Sequence, residues 1–227
     1  MTKDLNGNDS IRAYSEIYLD TSTRILGDAF DYAVNSLGYS LSDFAAMFAM
    51  SKCASQFENG NPSFIAGING CELARKVIKE CEHIDIEEED AMYLDKSPEY
   101  WVGYISAYYQ WFSDEAFSRF FSAVSTEEML KMYDTHHEMD IMQMVKFISK
   151  RICEKYPITR LAWYRKSLGL TQRQLAKDAN VPLRQIQLFE QRERNINKAQ
   201  FITVFRLSKA LNCDIEDLFD REYYNEK

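Results

Sequence analysis

Three side chains that could recognise the edges of base pairs lie within four positions of one another: Arg184, Gln185 and Gln187. Arginine commonly donates two hydrogen bonds to guanine in the DNA major groove, and glutamine pairs in the same way with adenine. The spacing of Ile186 and Phe189 places both on one side of a helix over 182–191. Leu183 and Leu188 share the opposite side with Arg184 and Gln187. The segment therefore predicts a helix with one packed side and one side that can enter a groove.

A shorter helix is predicted immediately before it. Thr171 and Gln174 have the spacing of a capping box, so this helix should begin at Gln172 and end near Ala179. Asn180 tolerates the left-handed backbone needed to leave a helix, and a proline such as residue 182 suits the first turn of the next one. We expect a turn of only a few residues between the two helices.

These spacings resemble those of the Cro/CI-type (XRE) helix-turn-helix repressor family, over residues 158–219. The resemblance implies a module of five helices at about 158–168, 172–179, 182–191, 198–211 and 214–219. It also implies that Arg165 and Glu190 form a structural ion pair, which we expect to be partly buried and to hold the first helix onto the third. Pro182 and Arg192 replace residue types that the family often has at those places, Ser or Thr and Gly, and neither replacement forbids the fold.

The same resemblance assigns contacts to individual residues. Gln172, at the start of the second helix, would hydrogen-bond a phosphate. Base recognition would depend on the arginine and the two glutamines of residues 184–187, because Leu183 and Leu188 stand where polar groups usually face the bases. The leucines could contact thymine methyl groups. Alternatively they bury against the N-terminal domain or a partner subunit, since exposed apolar patches mark contacts.

Charge divides the chain in two. Residues 155–219 contain 12 Lys or Arg and 6 Asp or Glu, whereas residues 1–150 contain 12 and 25. The overall net charge of −8 therefore conceals a basic module. Such a module suits phosphate binding, because each Lys or Arg near the DNA backbone releases condensed counterions. The predicted phosphate contacts are Arg173, Arg192, Arg194 and Lys198.

Helical periodicity also runs through residues 1–150, which we predict to be an acidic all-helical domain. A linker over 151–157 would separate it from the DNA-binding domain over 158–219 and a C-terminal tail over 220–227. Predicted helices cover residues 23–37, 40 or 42 to 57, and 69–81, and further ones begin at Asn61, Ser97, Ser113, Ser125 and Thr135. Residues 84–96 are predicted to form a loop.

The helix expected after Ser97 carries aromatic residues nearly all round its circumference, between Tyr100 and Phe112. A helix of this kind belongs inside a protein, and the favoured interpretation is a central core helix. The alternative is a groove for a ligand or a partner peptide, with tyrosine hydroxyls at its rim. Stacking of single-stranded bases on these rings is disfavoured by the surrounding acidity.

Motifs for catalysis or metal binding are weak, so we predict a non-enzymatic chain without cofactor or metal. The segment 136–138 begins like a zincin helix but lacks the second histidine at the required spacing. Cys71, Cys81 and His83 come nearest to a metal cluster, yet structural zinc takes four ligands at tighter spacings. Five scattered cysteines and the lack of a long apolar run or cleavable signal predict a cytoplasmic protein.

The whole chain is also similar to a group of uncharacterised two-domain bacterial regulators, in which an acidic helical domain precedes a Cro/CI-type module. The matching segments are 31–35, 60–62, 107–111 and 196–200. This similarity implies an autoregulating repressor or an antitoxin.

We therefore predict a sequence-specific regulator of double-stranded DNA, a repressor that binds a symmetric operator as a homodimer. Paired half-sites lie about 34 Å apart, which matches two recognition helices related by two-fold symmetry. The N-terminal domain would oligomerise or sense a protein partner or ligand. The alternative function is an antitoxin-like interaction module whose acidic domain neutralises a partner, with an autoregulatory or scaffolding helix-turn-helix. A third hypothesis, that residues 1–150 are an enzyme or toxin, has no motif to support it.

Overall fold

The computed structural model describes residues 12–91, 95–137 and 139–219, and these residues form helices and no β-strand, which confirms the predicted all-α class. The chain divides into two compact units after Cys153. Helices of the N-terminal unit, the last of which crosses that division, are α1 (Leu19–Asp31), α2 (Leu41–Met50), α3 (Lys52–Glu58), α4 (Pro62–Ile65), α5 (Gly70–Glu82), α6 (Pro98–Ser113), α7 (Phe117–Ala123), α8 (Thr126–His136) and α9 (Ile141–Lys155).

The described residues of the C-terminal unit form four further α-helices: α10 (Arg160–Ser167), α11 (Gln172–Asp178), α12 (Leu183–Glu190) and α13 (Phe201–Leu211). Two 3-10 turns, Ile196–Lys198 and Glu216–Leu218, complete it. The prediction of an α-helix over 214–219 is therefore wrong in type, because only a single 3-10 turn forms there. The helix predicted over 198–211 starts at Phe201, since residues 196–198 form the other turn.

Helix α6 packs along α1 at very short range. A Cβ atom added to Gly103 would lie 2.5 Å from the carbonyl oxygen of Leu26, and one added to Gly27 would lie 2.6 Å from the Tyr100 ring. Both distances are too short for a real side chain, so glycine permits this close crossing. Tyr109 and Trp111 of α6 are buried, which confirms the predicted core helix.

Phenylalanine rings from several helices fill the core of the N-terminal unit. Phe48 of α2 lies edge-on to Phe117 of α7, with ring centroids 4.8 Å apart, and Phe30 of α1 lies 5.1 Å from Phe44 in a T-shaped pair. Edge-to-face geometry is the preferred arrangement of aromatic pairs, because the positive ring edge meets the negative ring face. These ring contacts join α1, α2 and α7 in one aromatic core.

Five of the predicted helix starts in this unit are confirmed by side-chain caps. Each cap residue accepts a hydrogen bond from a backbone N–H in the first turn of the helix that follows: Ser40, Asn61, Asn69, Ser97 and Ser125. Each cap satisfies a donor that would otherwise lack an intrahelical partner. Most helix starts in this unit could therefore be predicted from the cap residue in the sequence.

Three predicted boundaries in this unit are wrong. The helix predicted from 40 or 42 to 57 is broken at Ser51, whose hydroxyl caps α3 by accepting from the N–H of Ala54. Ser113 is the last residue of α6 and not a helix start, because Asp114 leaves the helix in the left-handed conformation with φ of 54°. The last helix begins at Ile141 and not near Thr135, and the Asp140 carboxylate accepts from the N–H of Met142 at its start.

Within the described part of the chain, every helix is too short or too polar to cross a lipid bilayer.

Candidate nucleic-acid interface

Helix α11 begins with the predicted capping box. The backbone N–H of Gln174 donates to the Thr171 hydroxyl at 3.2 Å, and the N–H of Thr171 donates to Oε1 of Gln174 at 2.8 Å. Asn180 follows the helix with φ of 49°, the left-handed conformation predicted for it. Three residues, Ala179 to Val181, then lead to Pro182 at the N-terminal cap of α12. Pro182 thus precedes the helix, whereas the sequence predicted it as the first helical residue.

Helix α12 is fixed to the domain by the two apolar residues that the spacing had predicted. Ile186 is fully buried and Phe189 is 1% exposed, in a core shared with Leu175 of α11 and Leu207 of α13. This packing holds α12 in one orientation relative to α11. The opposite side of α12 is consequently the only side available to a ligand that lies along the helix.

The predicted base-contacting residues lie outside this core. Arg184 is exposed, and the other members of the set are half-buried: Leu183, Gln185, Gln187 and Leu188. The two leucines are therefore neither core residues nor fully solvated. Their partial exposure is compatible with an apolar contact on the outward face.

The ion pair of Arg165 and Glu190 joins α10 to α12. Arg165 donates from Nε to Oε1 at 2.6 Å and from Nη2 to Oε2 at 2.8 Å, which is the two-pronged geometry of the strongest arginine–carboxylate pairs. Both side chains are at least nine-tenths buried, and Arg165 donates a third bond to the carbonyl of Leu170 at 2.7 Å. The carboxylate raises the pKa of Arg165 above its ordinary value, so the guanidinium stays charged.

Gln172 extends this network to α11. Its Nε2 donates to Oε2 of Glu190 at 2.8 Å, so Glu190 receives hydrogen bonds from residues at the ends of two other helices. The amide of Gln172 is thereby anchored at the start of α11. A phosphate contact from this residue, predicted from the sequence, would use the remaining amide hydrogen or the backbone N–H groups of the helix start.

The segment between α12 and α13 carries three of the four cations that were predicted to contact phosphates. Arg192 has φ of 57°, and its backbone N–H donates to the carbonyl of Phe189, while that of Arg194 donates to Leu188. Ile196 is 1% exposed and anchors the 3-10 turn that ends at Lys198. The segment is therefore fixed by backbone bonds and one buried side chain, which would keep its cations in place.

The cations themselves are exposed: Arg173, Arg192, Arg194 and Lys198. Arg192 also donates from Nη1 to the carbonyl of Pro157 at 3.2 Å, which holds its guanidinium near the start of the unit. An exposed lysine or arginine can exchange its hydration and counterions for a phosphate at little cost. This placement is compatible with contacts to the DNA phosphate backbone, which carry no information about the base sequence.

Glu193 is a neighbour of the recognition residues that the sequence analysis missed. Its Oε2 lies 3.7 Å from Nη2 of Arg184, and both side chains are more than half exposed. An exposed pair at this distance contributes little to stability, about 0 to 1 kcal/mol. The Glu193 carboxylate acts instead on Arg184 itself, because it competes with other hydrogen-bond acceptors for the guanidinium.

The cysteines and histidine that came nearest to a metal cluster make separate contacts. Cys71 donates to the carbonyl of Ala91, whereas Cys81 donates to that of Met47. No set of three His, Cys, Asp or Glu residues in the described ranges is placed to hold a metal ion.

Two short helices joined by a tight turn, with the second presenting polar side chains outward in a basic module, define a helix-turn-helix DNA-binding domain. Residues 161–218, in the C-terminal third of the chain, match the model of the helix-turn-helix family, as the resemblance to Cro/CI-type domains predicts. The family consists of DNA-binding transcription regulators and is not typically enzymatic. Comparison of the chain with curated proteins and with solved structures gave no match.

Proposed function

We propose that this chain is a sequence-specific regulator that binds double-stranded DNA through α12, without enzymatic activity. The observation that carries the proposal is the two-sided character of this helix. Ile186 and Phe189 are buried in the domain core, while Arg184 extends into solvent from the other side. A helix held in this way presents a rigid set of side chains to the major groove, which is about 12 Å wide and admits an α-helix.

Base recognition would combine hydrogen bonds with apolar contacts. Arg184 suits the two acceptors of guanine, and Gln185 or Gln187 suits the donor–acceptor pair of adenine. Leu183 and Leu188 would contact thymine methyl groups, which accounts for apolar residues on an outward face. Each well-formed two-bond contact contributes about 1 to 3 kcal/mol of discrimination against a wrong base.

Phosphate contacts would set the position of α12 in the groove. The candidate residues lie before and after α12 in the chain: Gln172, Arg173, Arg192, Arg194 and Lys198. They belong to a segment, 155–219, with twice as many basic as acidic residues, 12 against 6. Because every duplex has the same backbone, these residues supply affinity and orientation, and the residues of α12 supply the sequence preference.

The proposed regulator is a repressor that acts as a homodimer. One recognition helix covers only a few base pairs, and two copies related by a two-fold axis can occupy half-sites about 34 Å apart on the same side of the duplex. A dimer bound across an operator excludes other proteins from that DNA. The N-terminal unit would then oligomerise or bind a protein partner.

A second candidate function rests on Leu183 and Leu188. Their side chains are half-buried on the outward face of α12, where a protein partner could cover them. The helix-turn-helix domain would then serve as a scaffold in an antitoxin-like complex, with the N-terminal unit neutralising the partner.

Selection of bound duplexes from a random DNA pool by the full chain, at near-physiological salt, distinguishes the two candidates. We expect enrichment of a two-fold symmetric site with two half-sites. Enrichment of a single, asymmetric site would contradict the dimer and leave the DNA-binding function. Absence of any enriched sequence would contradict sequence-specific binding and favour the antitoxin-like function.

A further inference from the structure

Glu193 is held beside the recognition helix by the backbone on either side of it. The N–H of Arg192 donates to the carbonyl of Phe189 at 3.1 Å, and the N–H of Arg194 donates to the carbonyl of Leu188 at 3.1 Å. Both bonds tie the segment that contains Glu193 back to α12. The Glu193 carboxylate is therefore placed relative to α12, although the residue lies beyond the end of the helix at Glu190.

The pair of Arg184 and Glu193 joins the first turn of α12 to this segment. Nη2 of Arg184 lies 3.7 Å from Oε2 of Glu193, and the two side chains are 68% and 56% exposed. An exposed pair of this kind shifts the folding equilibrium by a factor of about five at most. Its contribution to stability is small, and its main effect is to place a hydrogen-bond acceptor beside the donors of Arg184.

Glu193 is an acidic residue on a basic surface. It stands between two arginines, and the other acidic residues within 172–198, the range of the proposed DNA contacts, are Asp178 and Glu190. Glu190 is buried with Arg165, and Asp178 is the last residue of α11. An exposed carboxylate close to phosphates weakens binding to every duplex, because like charges repel. This cost is offset only where a base offers the carboxylate a hydrogen-bond donor.

A G·C base pair offers such a donor next to the acceptors that arginine recognises. In the major groove guanine presents N7 and O6, and its paired cytosine presents the N4 amino group. O6 and N4 are joined by a Watson–Crick hydrogen bond, so they lie about 3 Å apart. The 3.7 Å between the Arg184 donor and the Glu193 acceptor is close to this spacing. The two side chains can therefore lie side by side over one base pair.

We propose that Arg184 and Glu193 together recognise one G·C base pair, with Arg184 donating to guanine and Glu193 accepting from the N4 amino group of the paired cytosine. This deepens the proposed function and rests on it, since it names the base pair and adds a specificity-determining residue outside α12. An A·T pair would set the adenine N6 donor against the guanidinium and the thymine O4 acceptor against the carboxylate. Glu193 thus favours one pair and opposes the other.

Selection of duplexes by the full chain and by its Arg184→Ala and Glu193→Ala variants tests the proposal. The unmodified chain should enrich a G·C pair at the position where Arg184→Ala loses base preference. Glu193→Ala should lose preference at the same base pair, because the acceptor for cytosine is gone. Glu216→Ala is the matched control, since Glu216 is an exposed acidic residue of the same unit outside the range 172–198. The control should keep the full site.

Fluorescence anisotropy with two labelled duplexes separates base recognition from a general effect of charge. One duplex carries the enriched site, and the other has A·T in place of the G·C pair. The ratio of their dissociation constants should fall about fivefold or more in Glu193→Ala. Because the two residues contact one base pair, the variant with both substitutions should lose little more discrimination than Arg184→Ala alone.

Three results would overturn the proposal. The first is an enriched site without a G·C pair at the position that Arg184→Ala affects. The second is a Glu193→Ala variant that binds both duplexes more tightly by the same factor, which would mean that the carboxylate only repels phosphates. The third is a ratio of dissociation constants that Glu193→Ala leaves unchanged.

Failure of this inference is distinguishable from failure of the proposed function. An unmodified chain that enriches no duplex contradicts both. An unmodified chain that enriches a site which Glu193→Ala selects identically contradicts only the role of Glu193, and the DNA-binding function stands.

Discussion

Arg165 and Glu190 form a two-pronged ion pair that joins the first and third helices of the C-terminal unit. Gln172 donates to the same carboxylate from the start of α11, so one buried anion on α12 is bonded to both α10 and α11. A buried carboxylate needs this set of donors, because burying an uncompensated charge is strongly unfavourable. The orientation of the recognition helix thus depends on Glu190.

Replacing Glu190 by Ala should lower the free energy of unfolding of the C-terminal unit by about 3 to 5 kcal/mol, because Arg165 would remain buried without its partner. Hydrogen exchange of the backbone amides of α12 in the full chain measures this loss, whether or not the two units unfold together. Protection of those amides equal to that in the unmodified chain would show that the pair contributes nothing to stability.

The matched control is Glu72→Ala, which removes an exposed ion pair. Glu72 Oε1 lies 2.8 Å from Nζ of Lys76, and both side chains are more than two-fifths exposed. Its loss should change stability by about 0.5 kcal/mol or less. Equal effects of the two substitutions would contradict the distinction drawn between buried and exposed pairs.

Lys198→Ala should weaken binding to every duplex and reduce the slope of log affinity against log salt by about one unit. The physical reason is that one phosphate-neutralising charge, and the counterion it releases, are lost. Fluorescence anisotropy with a labelled duplex over a salt series gives both quantities. Lys177→Ala is the control, since Lys177 is also exposed but lies in the last turn of α11, at the opposite end from Gln172. An unchanged slope for Lys198→Ala would remove that residue from the interface.

Arg192 occupies a backbone conformation that favours glycine, with φ of 57°. Arg192→Gly and Arg192→Ala both remove the side chain and its bond to Pro157, but only glycine adopts this φ without steric cost. The glycine variant should be more stable than the alanine variant by about 1 to 2 kcal/mol. Chemical denaturation measures the difference. Equal stabilities, or a more stable alanine variant, would show that the segment relaxes away from this conformation.

The same pair of variants separates backbone from charge effects on DNA binding. Both lack the guanidinium, so both should bind duplexes more weakly than the unmodified chain and by the same factor. A weaker binding of only one variant would mean that backbone geometry, rather than the charge of Arg192, governs affinity.

The Cys53 thiol should make the stability of the N-terminal unit decrease at alkaline pH. Burial first, and then the carboxylate of Glu80, raise the pKa of its thiol from 9.0 to about 11. The folded protein therefore holds this proton more tightly than the unfolded chain, so the stability contribution is complete below pH 9 and is lost as pH rises towards 11. In Cys53→Ala the decline over this interval should be shallower, by at most about 1.4 kcal/mol per pH unit. Urea unfolding under reducing conditions from pH 8 to 11 tests this, and parallel curves would contradict it.

Local signals in the sequence were sufficient for most of the helix-turn-helix. The capping box of Thr171 and Gln174 predicts where α11 begins, and Asn180 predicts where the chain leaves it, because both effects act within one helical turn. The burial of Ile186 and Phe189 follows from helical periodicity alone. Each of these features is set by residues that lie close together in the chain, so the sequence alone is enough to predict it.

Contacts between distant residues could be predicted only in part. The pairing of Arg165 with Glu190 was expected from resemblance, but the bond from Gln172 to Glu190 and the approach of Glu193 to Arg184 depend on how three helices and a loop meet. Errors in helix boundaries had a different cause. The hydroxyls of Ser51 and Ser113 each donate to a carbonyl earlier in the chain and accept from an N–H later in the chain, so a serine alone does not distinguish a helix start from a helix end.

In the proposed function, the outward face of α12 determines which duplex is bound. The most direct measurement repeats the duplex selection with Arg184→Ala beside the unmodified chain and the Lys177→Ala control. We predict that Arg184→Ala loses base preference at one position in each half-site, a loss of about 1 to 3 kcal/mol of discrimination, while the control keeps the full site. An identical enriched site for all three proteins would contradict the claim.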